Sequence, residues 1–265
     1  MASIQKSARR LRSLYSAAQT EIVRELRGAT DFRRANLEAI RSQTDQILTE
    51  LDQQTQIAVP EETRRHYEDG SFRAIKAFRA AGVEMAGSFT QLDEEAINAI
   101  AQEAYMNFGQ GIQTAGRDVN RIMSIARRER IRTIIAEGTI TAKTRREISK
   151  SIKAELADGI TVLRDRAGKR WNMDTYAEML TRTKMVEASN SGLQNRLAQE
   201  GADLVQVSDH ANACPLCRPW GGEILSITGE TEGYETVDEA TSAGLFHPNC
   251  EHRLVPYKKE IAEFV

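Results

Sequence analysis

Long apolar runs are missing from this sequence. No stretch approaches the about 18 consecutive apolar residues that a membrane-spanning helix requires, and the basic residues near the start are not followed by the apolar segment of a secretory signal. An excess of one charge is also missing, because 36 basic residues stand against 38 acidic ones. This balance excludes a general nucleic-acid coat protein, which would be strongly basic. We therefore expect a soluble protein that is not exported by a secretory signal and does not contact a membrane.

Cysteine is scarce, and its distribution is uneven. The chain has three cysteines, none of them in the first 213 residues, so an even-numbered disulfide framework is excluded. This usage favours a reducing compartment and thiols that serve one site. Six of the seven cysteine and histidine residues lie between His210 and His252, and only His66 lies elsewhere.

Proline is almost absent from the first two hundred residues. Pro60 stands alone, and no other proline occurs before Pro215, which permits long helices. We predict a helix toward Pro60 and further helices near 71–81, 93–107, 116–137, 142–157 and 174–200. Proline and glycine then become frequent, which favours turns and short strands, with strands predicted at Asp203–Ser208, Glu223–Thr228 and His252–Tyr257.

The first 57 residues carry the stripe of an amphipathic helix. Apolar side chains recur every three or four residues from Ile4 to Ala29, and Gly28 with Asp31 offers a stop and a restart. One continuous helix would be about 85 Å long and would suit contact with a partner. The alternative is a two-helix hairpin on the protein's own core, which the usual lengths of loops favour.

Charge is unevenly distributed along the chain. Residues 117–153 contain eleven basic and four acidic side chains, whereas residues 219–252 contain seven acidic and no Lys or Arg side chains. A basic helical segment can bind phosphates without reading bases. It can equally be a solvated face or pair with an acidic protein, and the sequence leaves these interpretations open.

Two short cysteine and histidine clusters resemble halves of one metal site. Cys214-Pro-Leu-Cys217 places two thiols three residues apart, and His247-Pro-Asn-Cys250 repeats that spacing with an imidazole. Thiolate and neutral imidazole ligands in a tetrahedral arrangement are typical of zinc. The predicted zinc ligands are Cys214, Cys217, His247 and Cys250. His252 and then His210 are the alternatives for the fourth position, and a closed four-ligand site indicates a structural ion.

Three other interpretations remain open at this stage. The CxxC pair could be redox-active, although it does not follow a strand into a helix as in thioredoxin-like motifs. Asp209-His210 beside these cysteines resembles an HNH-like nuclease, in which a histidine is the general base and a separate cation holds the phosphate. The cysteines and histidines could also be ordinary core or surface residues.

A longer pattern of residues surrounds the cysteines. It includes the segments from Tyr176 to Thr183, from Glu187 to Gly192 and from Gly201 to Ser208, followed by Asp209-His210, Cys214-x-x-Cys217-x-x-Trp220-Gly-Gly and His247-Pro-Asn-Cys250-x-His252. This pattern, which covers about residues 160–257, resembles the phage minor capsid protein 2 family and the related Mu F-like minor head proteins. The resemblance implies that Thr183, Glu187 and Asn190, which share a helical face, form a polar network that supports the C-terminal region.

The resemblance, added to the residue patterns, gives the domains and the function that we expect. A mainly α N-terminal body (1–160), with long amphipathic helices, precedes a small α+β zinc-stapled domain (161–265). The family implies a non-enzymatic phage minor head protein at the portal vertex that acts in head assembly, DNA packaging or DNA delivery; the alternative is a metal-dependent HNH-like nuclease. Its expected partners are the portal protein, the capsid protein and, through the Arg117–Arg146 segment, packaged DNA. Several copies in the virion are expected, with the host cytoplasm as the location during assembly.

Overall fold

The computed structural model describes residues 2–28, 34–85, 87–137, 142–157, 159–164, 170–211 and 213–264. The chain forms two compact units, each assembled from separated segments. Unit 1 consists of Met1–Ser7, Ala58–Tyr105 and Met179–Val265, and unit 2 consists of Ala8–Ile57 and Met106–Glu178. This division differs from the predicted division into domains at about residue 160. That predicted boundary stays a prediction.

Five long helices make up most of the residues that the structure describes, which confirms the predicted fold class. They are α1 (Ala2–Gly28), α2 (Arg34–Ala80), α3 (Gln91–Glu137), α4 (Ala142–Glu155) and α5 (Met173–Gln199). The strands are β1 (Thr161–Arg164), β2 (Arg170–Asn172), β3 (Leu204–Val207), β4 (Ile224–Ser226) and β5 (Leu254–Pro256), with short helices α6 (Val237–Ser242) and α7 (Lys258–Ile261). No helix within the described ranges is both long and apolar enough to cross a membrane.

The predicted apolar stripe of α1 faces a core. Leu11, Tyr15 and Ile22 are fully buried, and in unit 2 the hydroxyl of Thr55 on α2 donates to the Tyr15 hydroxyl at 3.3 Å. Helix α1 ends at Gly28 and α2 begins at Arg34, so the predicted break is confirmed, and Asp31 lies outside the described residues. The hairpin, and not one continuous helix, is therefore the arrangement of α1 and α2.

Two helices are longer than the sequence predicted. Helix α2 continues through Pro60, where the ring is exposed and water can reach the carbonyl group that loses its amide partner. Helix α3 continues through Gly109 and Gly111 and joins two predicted helices into one. Gly111 serves packing in unit 2, because a Cβ atom there would lie 2.8 Å from the Tyr176 ring.

A short β-hairpin in unit 2 was not predicted. Strands β1 and β2 pair antiparallel, with Thr161 opposite Asn172. Each strand has only three or four residues, too few for a clear alternation of apolar and polar side chains. The sequence pattern of this segment therefore gives no strand signal.

In unit 1 all three predicted C-terminal strands are present and form one antiparallel sheet. The strand order is β4-β3-β5, with Val205 opposite Leu225 on one side and Pro256 on the other. We call residues 203–264, which contain this sheet and its connections, the β module. Its apolar side chains share one core cluster with Leu193 and Leu197 of α5.

Glycines let α2 and α5 approach closely in unit 1. A Cβ atom on Gly192 would lie 2.0 Å from the Tyr67 carbonyl oxygen, and one on Gly70 would lie 1.9 Å from the Ser189 carbonyl oxygen. Real Cβ atoms do not make contacts this short, so each glycine is required for the crossing of the two helices. This crossing fixes α5 against α2 in unit 1.

Candidate metal centre

Two turns of the β module carry the predicted ligands, and their hydrogen bonds are alike. The amide of Cys217 donates to the Cys214 carbonyl at 3.1 Å, and the amide of Cys250 donates to the His247 carbonyl at 2.9 Å. Asn249 has a φ of 65°, a left-handed conformation that asparagine tolerates better than most residues. The matching sequence spacing thus corresponds to matching turns, each of which presents two ligands from one side.

The sheet and α5 hold the second turn in place. Asn190 of α5 accepts the amide of Leu254 through its side-chain oxygen at 2.9 Å, and the Thr183 hydroxyl accepts the amide of Asn249 at 3.4 Å. Arg73 of α2 donates to the Leu254 carbonyl at 2.7 Å. The predicted supporting role of α5 is therefore confirmed for Thr183 and Asn190, whereas Glu187 bonds to Lys184 on the same helix.

The start of β3 is fixed by carboxylates. Asp203 accepts hydrogen bonds from the hydroxyl groups of Ser226, Thr228 and Thr231 at 2.6–2.7 Å. Burial alone would raise the pKa of Asp203, but these bonds and the amide of Thr228 outweigh it and hold that pKa well below its usual range. Glu260 accepts the amides at the start of β3 at 2.8 and 2.9 Å. Sequence reasoning missed these anchors, because isolated carboxylates give no spacing signal.

The ligand atoms form two overlapping triads. Cys214, Cys217 and His247 have ligand atoms within 4.8 Å of one another, as do Cys217, Cys250 and His252. These five residues therefore lie close enough to hold a metal ion, and Cys217 belongs to both triads. The predicted set takes three members from the first triad and Cys250 from the second.

The separations between neighbouring ligand atoms can be compared with those of a tetrahedral zinc site. Bonds of about 2.3 Å to sulfur and 2.05 Å to nitrogen place two sulfurs about 3.8 Å apart and a sulfur and a nitrogen about 3.6 Å apart. The Cys217 and Cys250 sulfurs are 3.5 Å apart, and Cys250 Sγ lies 3.6 Å from His252 Nδ1. Cys214 Sγ and His247 Nε2 are closer, at 3.0 Å, which is a hydrogen-bond distance. The donor types suit a zinc ion, but neither triad contains all four predicted ligands, so the two turns would have to move closer together to place them around one ion.

The thiols of the first turn differ in their tendency to ionise. The backbone amide of Cys217 and the imidazole of His247 lower the pKa of Cys214 to about 7. Burial, followed by the neighbouring Cys250, raises the pKa of Cys217 to about 12. The pKa values of these two neighbouring thiols are thus shifted in opposite directions, and a bound cation would stabilise both thiols as thiolates.

The histidines occupy different environments. The Nδ1 atom of His247 lies 2.9 Å from the Pro248 carbonyl oxygen, so a proton on Nδ1 leaves Nε2 free to bind a metal. His252 is 3% exposed, and its buried Nε2 has no hydrogen-bond partner among the described residues. His210 belongs to neither triad; its Nε2 lies 3.0 Å from the Ser208 hydroxyl, and its ring packs edge-on against His252.

Trp220, which follows the first turn, packs against the same core as the cysteines. Its side chain is partly buried and packs against the core cluster that contains Cys217 and Cys250. The cysteines are therefore continuous with the apolar core of unit 1, and this position is typical of a structural site and not of a solvent-facing catalytic one.

Together, the fold and the site define a mainly helical protein whose small β module is organised around thiols and imidazoles suited to a metal ion. A family model described as phage minor capsid protein 2 matches residues 5–264, nearly the whole chain. The chain belongs to this family and is a minor capsid protein of a phage, a component of the virion. No curated protein and no solved structure matches it.

Proposed function

We propose that the protein is a non-enzymatic component of the phage portal vertex that acts in head assembly, DNA packaging or DNA delivery. The observation that carries the proposal is the family match over residues 5–264. The burial of Cys217 and Cys250 in the core supports a structural site. We further propose that the chain is present in several copies in the virion and in the host cytoplasm during assembly.

The metal in this proposal is zinc, held by Cys214, Cys217, His247 and Cys250. The equivalent turns of the first and second clusters support this set, because each contributes residues three apart with the same backbone hydrogen bond. Bound zinc would hold the two turns together in a β module whose strands have only three or four residues. Binding energies of about 10–16 kcal/mol are typical of such sites.

The unpaired nitrogen of His252 supports His247 as the fourth ligand. If His252 bound the metal through Nδ1, its Nε2 would carry a proton, and a buried N–H group would have no acceptor among the described residues. If His252 instead donates Nδ1–H to Cys250 Sγ at 3.6 Å, only an acceptor lone pair is left without a partner. Buried N–H groups without an acceptor are the rarer and costlier case.

The proposed partners are the portal protein, the capsid protein and packaged DNA. Portal and capsid follow from the type of protein that the family comprises. DNA would contact the basic segment Arg117–Arg146, in which many side chains are exposed on α3 and α4.

The test of this function is the composition and neighbourhood of assembled heads. Phage lacking this protein, complemented with an affinity-tagged copy, should yield heads that retain the tag in several copies. Crosslinking within those heads should connect it to the portal protein. Heads that form, package and deliver DNA normally without the protein, or crosslinks restricted to capsid faces distant from the portal, would contradict the proposal.

A further inference from the structure

We propose that the exposed faces of α3 and α4 form one surface in unit 2 that binds the phosphate backbone of double-stranded DNA without reading bases. We call this the basic surface; its members are Arg117, Arg121, Arg128, Arg132, Arg146, Lys150 and Lys153. It extends the proposed DNA contact beyond the Arg117–Arg146 segment and rests on the proposed function only for the identity of the DNA as packaged phage DNA.

The α3 members follow one another along a single helical face. Arg117, Arg121, Arg128 and Arg132 are separated by four, seven and four residues, so at about 100° per residue they lie within about 60° of one another. The row is about 22 Å long, which corresponds to roughly six base pairs at 3.4 Å each. The opposite face of α3, which includes Ile122 and Ala126, is buried. All four arginines are therefore directed away from the core of unit 2.

Helix α4 repeats the arrangement on a smaller scale. Arg146, Lys150 and Lys153 are exposed and recur at four and three residues. Ile148 and Ile152, on the other side of the helix, are 2% and 4% exposed. The basic residues of α4 thus also face solvent.

Contacts between the elements place the two rows side by side. Arg121 of α3 pairs with Glu155 of α4 at 2.8 Å, and Asp118 of α3 accepts the amide of Thr161, just beyond α4, at 2.9 Å. The two helices are therefore antiparallel neighbours near these residues. Their exposed basic residues form one continuous surface in unit 2.

Most of the positive charge on the basic surface is available to a partner. Arg121 pairs with Asp118 and Glu155, and Arg132 pairs with Glu129. In contrast, Arg128, Arg146, Lys150 and Lys153 form no ion pair with any other residue that the structure describes. Unpaired rows of arginine and lysine are what binding to phosphates requires.

The small apolar content of the surface favours DNA over a protein partner. Protein interfaces usually have a central apolar patch. Within 117–133 and 146–153, the ranges whose side chains are described, Ile131 is the one large apolar residue that is exposed, at 44%. Binding would thus be mainly electrostatic, and contacts with phosphates position a protein without reading sequence.

The experiment measures binding of the purified, zinc-loaded full chain to fluorescently labelled 30-base-pair DNA duplexes of two unrelated sequences, by anisotropy at several salt concentrations. The test variant combines Arg128→Gln, Arg146→Gln and Lys150→Gln. The control variant combines Lys76→Gln, Arg79→Gln and Lys259→Gln, three exposed basic residues of unit 1, and changes the net charge equally. Circular dichroism establishes that both variants are folded.

The wild type should bind both duplexes equally, and its affinity should fall steeply with salt. The test variant should bind at least tenfold more weakly at 50 mM salt, while the control changes less than twofold. The slope of the logarithm of the association constant against the logarithm of the salt concentration is negative. In the test variant this slope should be shallower by about 0.9 for each phosphate that is no longer neutralised, or by up to about 2.7 for three. No binding by the wild type, equal reductions in the two variants, or equally tight binding to polyglutamate would overturn the assignment to DNA.

Incorporation into heads distinguishes this inference from the proposed function. A test variant that enters heads and crosslinks to the portal, yet does not bind DNA in solution, confirms both. Failure of the wild-type chain to bind DNA, with normal incorporation at the portal, would refute the basic surface and the proposed DNA contact but leave the proposed role at the portal vertex in place.

Discussion

The identity of the fourth zinc ligand can be decided by replacing each histidine of the cluster in turn. His247→Ala removes the imidazole that we assign to the metal, and His252→Ala removes the one that we assign to a hydrogen bond with Cys250. His210→Ala is the matched control, since His210 lies beside His252 but belongs to neither triad. All three changes remove the same ring, so differences among them report its role.

The expected losses of zinc affinity differ by about an order of magnitude. A structural site of four ligands binds with about 10–16 kcal/mol, so one ligand contributes about 2.5–4 kcal/mol, or roughly 10²–10³-fold in affinity. A residue that hydrogen-bonds to a ligand typically contributes 10–100-fold. His247→Ala should therefore weaken zinc binding most, His252→Ala less, and His210→Ala by no more than about threefold.

Competition with a chromogenic zinc chelator gives the three affinities, and elemental analysis of the purified chain gives the stoichiometry. Wild-type protein should contain about one zinc per chain. A larger loss for His252→Ala than for His247→Ala would refute our assignment and make the second triad the centre of the site. Wild-type protein that folds without zinc and does not bind it would refute the metal site as a whole.

Other predictions concern stability and activity. Gly192→Ala should lower the free energy of unfolding by about 3 kcal/mol or more in urea titrations, because its Cβ would overlap the Tyr67 carbonyl; Gly109→Ala, with no atom within 4 Å, should instead raise it by about 0.5–1 kcal/mol. Burial, together with the charge of Arg65, lowers the pKa of His66 to about 4, so its contribution to stability is lost as the pH falls from about 6.5 to 4. Over that range the free energy of unfolding of the wild-type protein should fall by up to about 3 kcal/mol more than that of the His66→Gln variant. Equal decreases in the two proteins would contradict this prediction. Asp203→Ala should destabilise the protein by about 2–4 kcal/mol, because it leaves the hydroxyls of the β module without an acceptor. Plasmid nicking with Mg²⁺ or Mn²⁺ should be absent; nicking that His210→Ala abolishes would instead support the nuclease alternative.

The features that the sequence predicted well are those with a clear period or a rare residue type. The stripe that includes Leu11 and Ile22 has a helical period, and both side chains are buried. All three C-terminal strands lie within their predicted ranges, because frequent glycines and prolines delimit them. The Cys214–Cys217 and His247–Cys250 pairs could be matched because cysteine is so rare elsewhere.

The features that could not be predicted depend on contacts distant in sequence. Nothing local distinguishes Gly192, which a helix crossing requires, from Gly109, which has free space around it. The continuation of α2 through Pro60 likewise depends on burial on both sides of the proline, which outweighs a local cost of about 3 kcal/mol. The spacing of the clusters also did not reveal that the donors form two triads that share Cys217.

The position of Cys217 shows how one bound ion could stabilise the small sheet of this minor capsid protein. This residue belongs to both triads and to the core cluster that α5 shares with the sheet, so an ion bound there would join the two turns to the core and not only to each other. Asn190 already connects α5 to β5 by a hydrogen bond, but a single bond contributes only about 1 kcal/mol. A zinc ion would contribute about ten times as much.

If zinc binds as we propose, the β module should keep its position against α5 when partner proteins contact it. Removal of the zinc should loosen the β module before it loosens the crossing of α2 and α5 that the glycines allow. Hydrogen exchange with and without a chelator can measure that order, and simultaneous loss of protection in β5 and in α5 would contradict it.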